Sequence, residues 1–191
     1  MATLQIAQVP EADRLLSTDP LALLLGMLYD QQFPMERAFA GPYVLAARIG
    51  VTSLDATALA ALDFDTLTQA MSTTPVVHRY PKAMAERTQA VCRILVEKYD
   101  GSASALWETA DSGAELLKRL TALPGFGKQK AQIFVALLGK QLGVRPAGWE
   151  AAAGAYAEAG SFRSVADVTG PEALEKVRAF KKEQKAAAKA G

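Results

Sequence analysis

The sequence predicts an all-α fold, and three observations support this. Half of the 191 residues are hydrophobic, which is enough for a sizeable buried core. Apolar residues recur at helical spacing in segment after segment, for example at Ile133, Phe134, Leu137 and Leu138. No segment has a confident strand pattern, and no internal repeat stands out. We therefore expect a set of helices joined by loops.

Residues 1–18 are predicted to form an N-terminal arm. Apolar residues alternate near its start, and Pro10 then begins what reads as a helical turn. A strand fragment and an irregular segment are both open for this arm. The arm ends at Ser17-Thr18-Asp19-Pro20, where a capping side chain and a proline together are typical of a helix start. Leu21–Tyr29 is apolar almost all round, so this helix should be central and buried.

Residues 19–160 are predicted to form one helical domain. Asp55 and Asp63 offer N-terminal caps for two short helices, and Asp100-Gly101 ends a long one. The helices expected after Tyr29 are Met35–Ile49, Ser53–Leu62, Phe64–Met71, Lys82–Lys98, Ala103–Ala110, Ala114–Leu120, Lys128–Leu142 and Trp149–Ala159.

Residues 161–191 are predicted to be a linker, residues 161–169, followed by a basic helix over Pro171–Lys189. A solvated tail is the default for a helix in which lysine and arginine outnumber acids. Contact with a DNA backbone is the alternative.

Cysteine and histidine content limits the cofactors that the chain can hold by itself. Cys92 is the only cysteine, so an internal disulfide, a four-cysteine cluster and a four-cysteine zinc site are all excluded. A buried, inert thiol is the expected state of Cys92. His78 is the only histidine, which leaves little support for a histidine metal site. We expect no metal centre.

The charge balance limits the partners. The formal net charge is only +1, so any binding to nucleic acid must come from local patches. Neither a signal segment nor an apolar run long enough to span a bilayer is present. We expect a soluble, cytoplasmic, monomeric protein with no membrane partner.

The segment Leu123–Ala131 reads Leu-Pro-Gly-Phe-Gly-Lys-Gln-Lys-Ala and joins two predicted helices. The second helix should start at or just after Gly127, so its first N–H groups lack intrahelical partners and carry the positive end of the helix dipole. With Lys128 and Lys130 beside them, these amides suit a backbone phosphate. A sharp corner between helices with no ligand is the alternative.

These residues resemble the hairpin of the helix-hairpin-helix DNA glycosylases, the HhH-GPD superfamily that includes endonuclease III and the 3-methyladenine glycosylases. The resemblance covers about Asp19–Trp149. It implies a two-lobed helical fold, one lobe mostly from residues 51–142 and the other from the N- and C-terminal helices, with duplex DNA across the cleft. It also implies that the hairpin clamps a DNA phosphate, often with a monovalent cation on its carbonyls. The residues assigned to DNA binding are Gly125, Phe126, Gly127, Lys128, Gln129 and Lys130.

A second likeness concerns the loop after the apolar helix Leu21–Tyr29. In the superfamily, the loop after the first core helix fills the gap that an extruded base leaves. Gln31, Gln32 and Phe33 are therefore candidates for this role, since an amide replaces base hydrogen bonds and an aromatic ring stacks. A plain loop between two helices is the alternative.

The expected catalytic residues are where this chain departs from the superfamily. Its catalytic aspartate maps onto Ala147, and the lysine of its lyase members maps onto Gln129. A carboxylate is needed because the sugar gains positive charge when its bond to the base breaks. Glu150 and Asp30 are the candidates that remain. Trp149 either lines a base pocket or belongs to the core.

The resemblance therefore favours a monofunctional base-excision glycosylase without an iron–sulfur cluster or other cofactor, associated with the nucleoid when it acts on DNA. A non-catalytic protein that recognises lesions or DNA structure is the alternative, because the usual acid is absent. A helical protein-interaction domain with no DNA role is a third reading, which the small net charge permits.

Overall fold

Eleven α-helices make up most of residues 3–191, the part of the chain that the computed structural model describes. No β-strand is present within these residues, so the all-α prediction is confirmed. The helices are α1 Pro10–Thr18, α2 Pro20–Tyr29, α3 Met35–Arg48, α4 Ala56–Ala61, α5 Phe64–Ser72, α6 Pro81–Tyr99, α7 Ala105–Glu108, α8 Gly113–Thr121, α9 Lys128–Gln141, α10 Trp149–Ala153 and α11 Pro171–Ala190. Two 3-10 helices, Gly154–Ala157 and Val165–Asp167, lie between α10 and α11.

Helix α2 lies at the centre of the hydrophobic core, as its composition predicts. Every residue from Leu21 to Tyr29 is buried. The carboxylate of Asp19 caps the helix by accepting hydrogen bonds from the Leu21 and Ala22 amides at 3.0 and 3.1 Å. Its other oxygen accepts from the Leu54 amide at 2.7 Å, which ties the start of α2 to the segment before α4.

The N-terminal arm is more ordered than the sequence predicts. The helical turn predicted from Pro10 extends to a complete helix, α1 Pro10–Thr18, and residues 3–9 form no strand. The buried Asp13 carboxylate accepts hydrogen bonds from the Ile6 and Ala7 amides at 2.9 and 2.7 Å, so a side chain satisfies amides that a strand partner would otherwise pair. Residues 1–2 of the predicted arm lie outside the described residues.

Two predictions for the C-terminal third are wrong. The helix expected over Trp149–Ala159 ends at Ala153, because Gly154 has a φ of 62° and breaks the α-helical path. The segment predicted as a linker, residues 161–169, packs into the core through a run of buried residues. Asp167 anchors it, since its carboxylate accepts from the Lys140 amine at 2.6 Å.

Helix α11 has two unlike halves. Ala173, Leu174 and Val177 are buried in the first half, whereas residues 181–190 bury nothing. Its ion pair between Arg178 and Glu36 joins it to α3. Helix α10 and the two 3-10 helices pack on α9, α10 also packs on α8, and α11 packs on the 3-10 helix Val165–Asp167. The division of the fold into two lobes stays a prediction.

None of the helices within residues 3–191 combines the length and the apolar character that crossing a membrane requires.

Candidate nucleic-acid interface

The corner between α8 and α9 has the backbone geometry that its glycines predict. Gly125 has a φ of 83°, and a Cβ built on it would lie 2.6 Å from Leu28 Cδ1. The positive φ favours glycine at this position, and a larger residue would also require the Leu28 side chain to move. Gly127 is the exposed N-cap of α9 and offers no side-chain hydrogen bond, so the amides of the first turn face solvent.

The residues assigned to DNA binding differ in exposure. Gly127, Lys128 and Gln129 are exposed at the start of α9. Phe126 is only 3% exposed, and its ring packs edge-on against Phe134, so it supports the corner from within. Of its atoms, only the backbone is placed to meet a ligand.

Lys130 points away from the corner. Its amine donates to the Leu28 carbonyl at 2.9 Å and lines a cleft of about 1260 Å³ beside the hairpin. The cleft is lined by the end of α2 and the loop after it, the start of α3, the first turns of α9, the 3-10 helix Gly154–Ala157, Arg163 and α11. Hereafter "the cleft" means this space.

Positive charge dominates the cleft. Among its lining side chains, Asp30 and Glu36 are the carboxylates. The cations are Lys130, Arg163, Arg178, Lys181, Lys182, Lys185 and Lys189. A chain of net charge +1 thus gathers a third of its lysines and arginines around one concave surface, which is the local patch that nucleic-acid binding requires.

Asp30 and Lys130 are the buried charges of the cleft. Burial raises the pKa of the Asp30 carboxyl, and the ammonium groups of Lys181 and Lys130 oppose this rise. Burial also lowers the pKa of the Lys130 amine to about 8, against the attraction of Asp30. The two ammonium groups thus favour the ionised form of Asp30, whereas its burial disfavours that form. In such a partly desolvated place a charge acts strongly on a bound molecule.

Gln31 does not line the cleft, because hydrogen bonds hold it against Arg87 and His78 instead. Its side-chain oxygen accepts from Arg87 Nη1 at 2.9 Å, and its carbonyl meets His78 Nε2 at 3.1 Å. Because His78 Nδ1 accepts from the Tyr80 amide at 3.0 Å, Nε2 carries the ring hydrogen and donates to Gln31. His78 is fully buried, and burial lowers its pKa, so the neutral imidazole is a fixed support for this loop.

Gln32 and Phe33 face the cleft. Gln32 is exposed and has a φ of 52°, a left-handed conformation that glutamine rarely adopts. Phe33 is half-buried, with its ring centroid 4.9 Å from that of His78 and 4.7 Å from the Arg37 guanidinium carbon. Of the three residues assigned to gap filling, these two have side chains free to meet a ligand.

The loop Val144–Gly148 lies outside the cleft, together with the two residues that follow it. The Ala147 carbonyl accepts from the Gly113 amide at 2.8 Å, and a Cβ on Gly113 would lie 2.6 Å from Trp149 Cα. The ring of Trp149 packs on Gly139 of α9, so it is part of the core surface and not of the cleft. Glu150 is exposed at the start of α10. Of the two candidate acids, Asp30 lies in the cleft and Glu150 does not.

The sequence did not single out several cleft residues. Tyr156 Oη accepts from Gln129 Nε2 at 2.8 Å, which links the 3-10 helix to the start of α9. Nothing local marks Tyr156, because its position depends on where Gly154 ends α10. The lysines of α11, in contrast, belong to the basic helix for which DNA-backbone contact is the alternative prediction. Lys181, Lys185 and Lys189 recur there every four residues and share a helix face.

No metal site is evident in the described part of the chain, where no group of three His, Cys, Asp or Glu side chains comes together. Cys92 is buried, and burial raises the pKa of its thiol to about 12. The absence of a cofactor and the monovalent cation at the hairpin stay predictions.

Comparison of the chain with protein-family models, curated proteins and solved structures finds no match. The functional argument therefore depends on the geometry and the chemistry of the cleft.

Proposed function

We propose that the protein is a DNA glycosylase of the helix-hairpin-helix type, which holds duplex DNA along the cleft and excises a damaged base with Asp30 as its acid. One observation carries the proposal: a partly buried carboxylate stands beside an uncapped helix N-terminus in a cleft whose other charges are mostly positive. Phosphates are attracted to such a surface, and a carboxylate within it stabilises positive charge on a bound sugar.

The first step of the proposed mechanism is binding. The amides of Lys128 and Gln129 donate hydrogen bonds to a backbone phosphate at the corner, with the Lys128 ammonium beside it. The damaged nucleotide rotates out of the duplex into the cleft, and Gln32 and Phe33 occupy the space that it leaves.

The second step is cleavage of the bond between base and sugar. The base leaves with the bonding electron pair and takes up the proton that the attacking water gives up, and the sugar gains oxocarbenium character at C1′. The Asp30 carboxylate stabilises this charge and orients the water whose oxygen adds to C1′. The ammonium groups of Lys130 and Lys181 favour the ionised carboxylate of Asp30 and oppose the effect of burial on its pKa. The products are a free base and an abasic site.

A strand break is not expected from this site. Gln129 occupies the position of the lyase lysine, and its amide is bonded to Tyr156. The Lys130 amine is bonded to the Leu28 carbonyl and serves as the partner of Asp30. The proposed activity is therefore monofunctional.

A second function, recognition of damaged or branched DNA without cleavage, is favoured by Ala147. At this position the superfamily carries its acid, whereas this chain has an exposed alanine whose backbone forms an isolated bridge with Ser112. If Asp30 serves only to neutralise the positive charge of Lys130, the cleft binds DNA but does not cleave the bond between base and sugar.

The experiment that separates the two functions uses labelled duplexes, each with one alkylated, deaminated or oxidised base. Incubation with the protein is followed by alkali, which breaks the strand at abasic sites. The glycosylase proposal predicts a break at the damaged base after alkali and none before it. Tight binding to every duplex with no break would establish the second function instead, and absence of binding would reject both.

A further inference from the structure

The second half of α11 forms one wall of the cleft. Lys181, Lys182, Lys185 and Lys189 all line it. A spacing of four residues places three of them one above another on the same helix face. The acid of this half, Glu183, is not among the lining residues. Every charged side chain of this wall is therefore positive.

The cations in the first half of α11 are already paired. Lys176 lies 2.8 Å from Glu172, and Arg178 lies 2.6 Å from Glu175 and contacts Glu36. In contrast, within residues 3–191 no carboxylate oxygen lies within 4.0 Å of a lysine amine of the wall. Like charges four residues apart destabilise a helix by a few tenths of a kcal/mol per pair, so this arrangement favours an anionic ligand.

The dimensions of the wall match a nucleic-acid strand. From Lys181 to Lys189 the helix rises about 12 Å. Duplex DNA carries a phosphate about every 3.4 Å of axis on each strand, so the wall spans three to four phosphates of one strand.

We infer that residues 181–190 of α11 are a second phosphate-binding element, which contacts the backbone of duplex DNA along the wall of the cleft while the hairpin holds another phosphate. This inference rests on the proposed function in one respect, namely that the ligand is DNA. The Arg178–Glu36 ion pair and the three buried residues of the first half hold the wall in place.

A membrane surface fits this helix less well. Beyond Phe180, its apolar side chains are all alanines, which offer little area to bury among lipid chains. An acidic polypeptide is the remaining competitor, and the experiment includes it.

The test compares the wild type with the triple variant K182Q/K185Q/K189Q. The matched control is K82Q/K98Q/K118Q, which removes the same charge from exposed lysines outside the cleft. Affinity for an undamaged labelled duplex is measured by fluorescence anisotropy at several salt concentrations. Competition by polyglutamate is measured in parallel, and thermal denaturation checks folding.

The wall variant should bind DNA more weakly, and its slope of log K against log salt should be smaller by about 0.9 for each phosphate that the lysines no longer neutralise, about 2 to 3 in total. The control should keep the wild-type slope. Both should keep the wild-type melting temperature, because all six substituted lysines are exposed.

Three results would overturn the inference. An unchanged slope in the wall variant, with tight binding by the wild type, would reject the wall and leave the proposed function standing. Failure of the wild type to bind duplex DNA at low salt would reject both. A variant that loses binding to polyglutamate but keeps its affinity for DNA would assign the wall to an acidic polypeptide.

Discussion

The corner Leu123–Gly127 and the loop Val144–Gly148 each contain proline and glycine and each precede a helix, but they face different surroundings. The corner stands at the edge of the cleft, because Gln129 and Lys130 of the first turn of α9 line the cleft and Gly127 and Lys128 are exposed beside it. The loop is folded against the start of α8 and lies outside the cleft. A helix start is therefore useful for binding only where the surrounding helices leave it open and supply charge.

The largest predicted effect is on the pH dependence of stability, where Lys130 in the cleft should differ from Lys128 at the corner. Its folded pKa of about 8 lies below the ordinary value of 10.5, so between these values the unfolded chain binds more protons. The stability that Lys130 contributes is therefore fully present above pH 10.5 and is lost as pH falls through 8. Relative to K130M, the wild type should gain about 3 kcal/mol in the free energy of unfolding over this window.

Chemical denaturation of both proteins across this pH range measures that gain. K128M, which removes the exposed lysine of the corner, is the control and should follow the wild type. Equal pH dependence of K130M and the wild type would contradict burial of Lys130.

The next prediction separates the two regions by their glycines. G125A and G113A should each lower the free energy of unfolding by about 1–3 kcal/mol, because a Cβ at either position meets neighbouring atoms at 2.6 Å. Of the two, only G125A should also weaken DNA binding, since it displaces the corner.

G127A is the matched control for these variants. Nothing lies within 4 Å of a Cβ there, and the φ of −71° suits alanine. Denaturation together with duplex binding measures all three variants. Weaker DNA binding by folded G113A would show that the loop also takes part.

A smaller effect is expected from the aromatic residues. F33A should weaken binding to a duplex with an unpaired or abasic position by about 1–3 kcal/mol, because the stacking surface is removed. W149F should leave that affinity unchanged and lower stability instead, since Trp149 packs on Gly139. Anisotropy on abasic-analogue and intact duplexes checks this, and an equal drop in affinity for both variants would contradict the separation of the two regions.

The smallest effect is a single charge. K128Q should reduce the salt slope of DNA binding by about 0.9, whereas R145Q, which removes an exposed cation of the loop, should not change it. A larger change for R145Q than for K128Q would place the phosphate at the loop.

Much of the fold could be predicted from the local sequence. Capping residues such as Asp19, Asp55 and Asp63 accept the hydrogen bonds expected of them, because a cap depends on neighbours two or three residues away. The part of helix α1 beyond its first turn, which the sequence does not predict, depends on longer contacts, from Asp13 back to the segment before it.

The candidate site was less accessible to prediction. The hairpin and the loop after α2 could be singled out, but their side-chain directions depend on distant partners. The Lys130 amine, for example, meets a carbonyl 102 residues earlier in the chain. Which of Asp30 and Glu150 enters the cleft likewise follows from tertiary packing, because both are acids at a helix terminus.

The most direct test of the account compares D30N with E150Q. The rate of base release from a substrate duplex is measured under single-turnover conditions, and duplex affinity is measured separately. If Asp30 is the catalytic carboxylate, D30N should lower the rate by about 10²–10³-fold while still binding DNA, and E150Q should keep the wild-type rate. Loss of base release in E150Q with normal release in D30N would contradict the account.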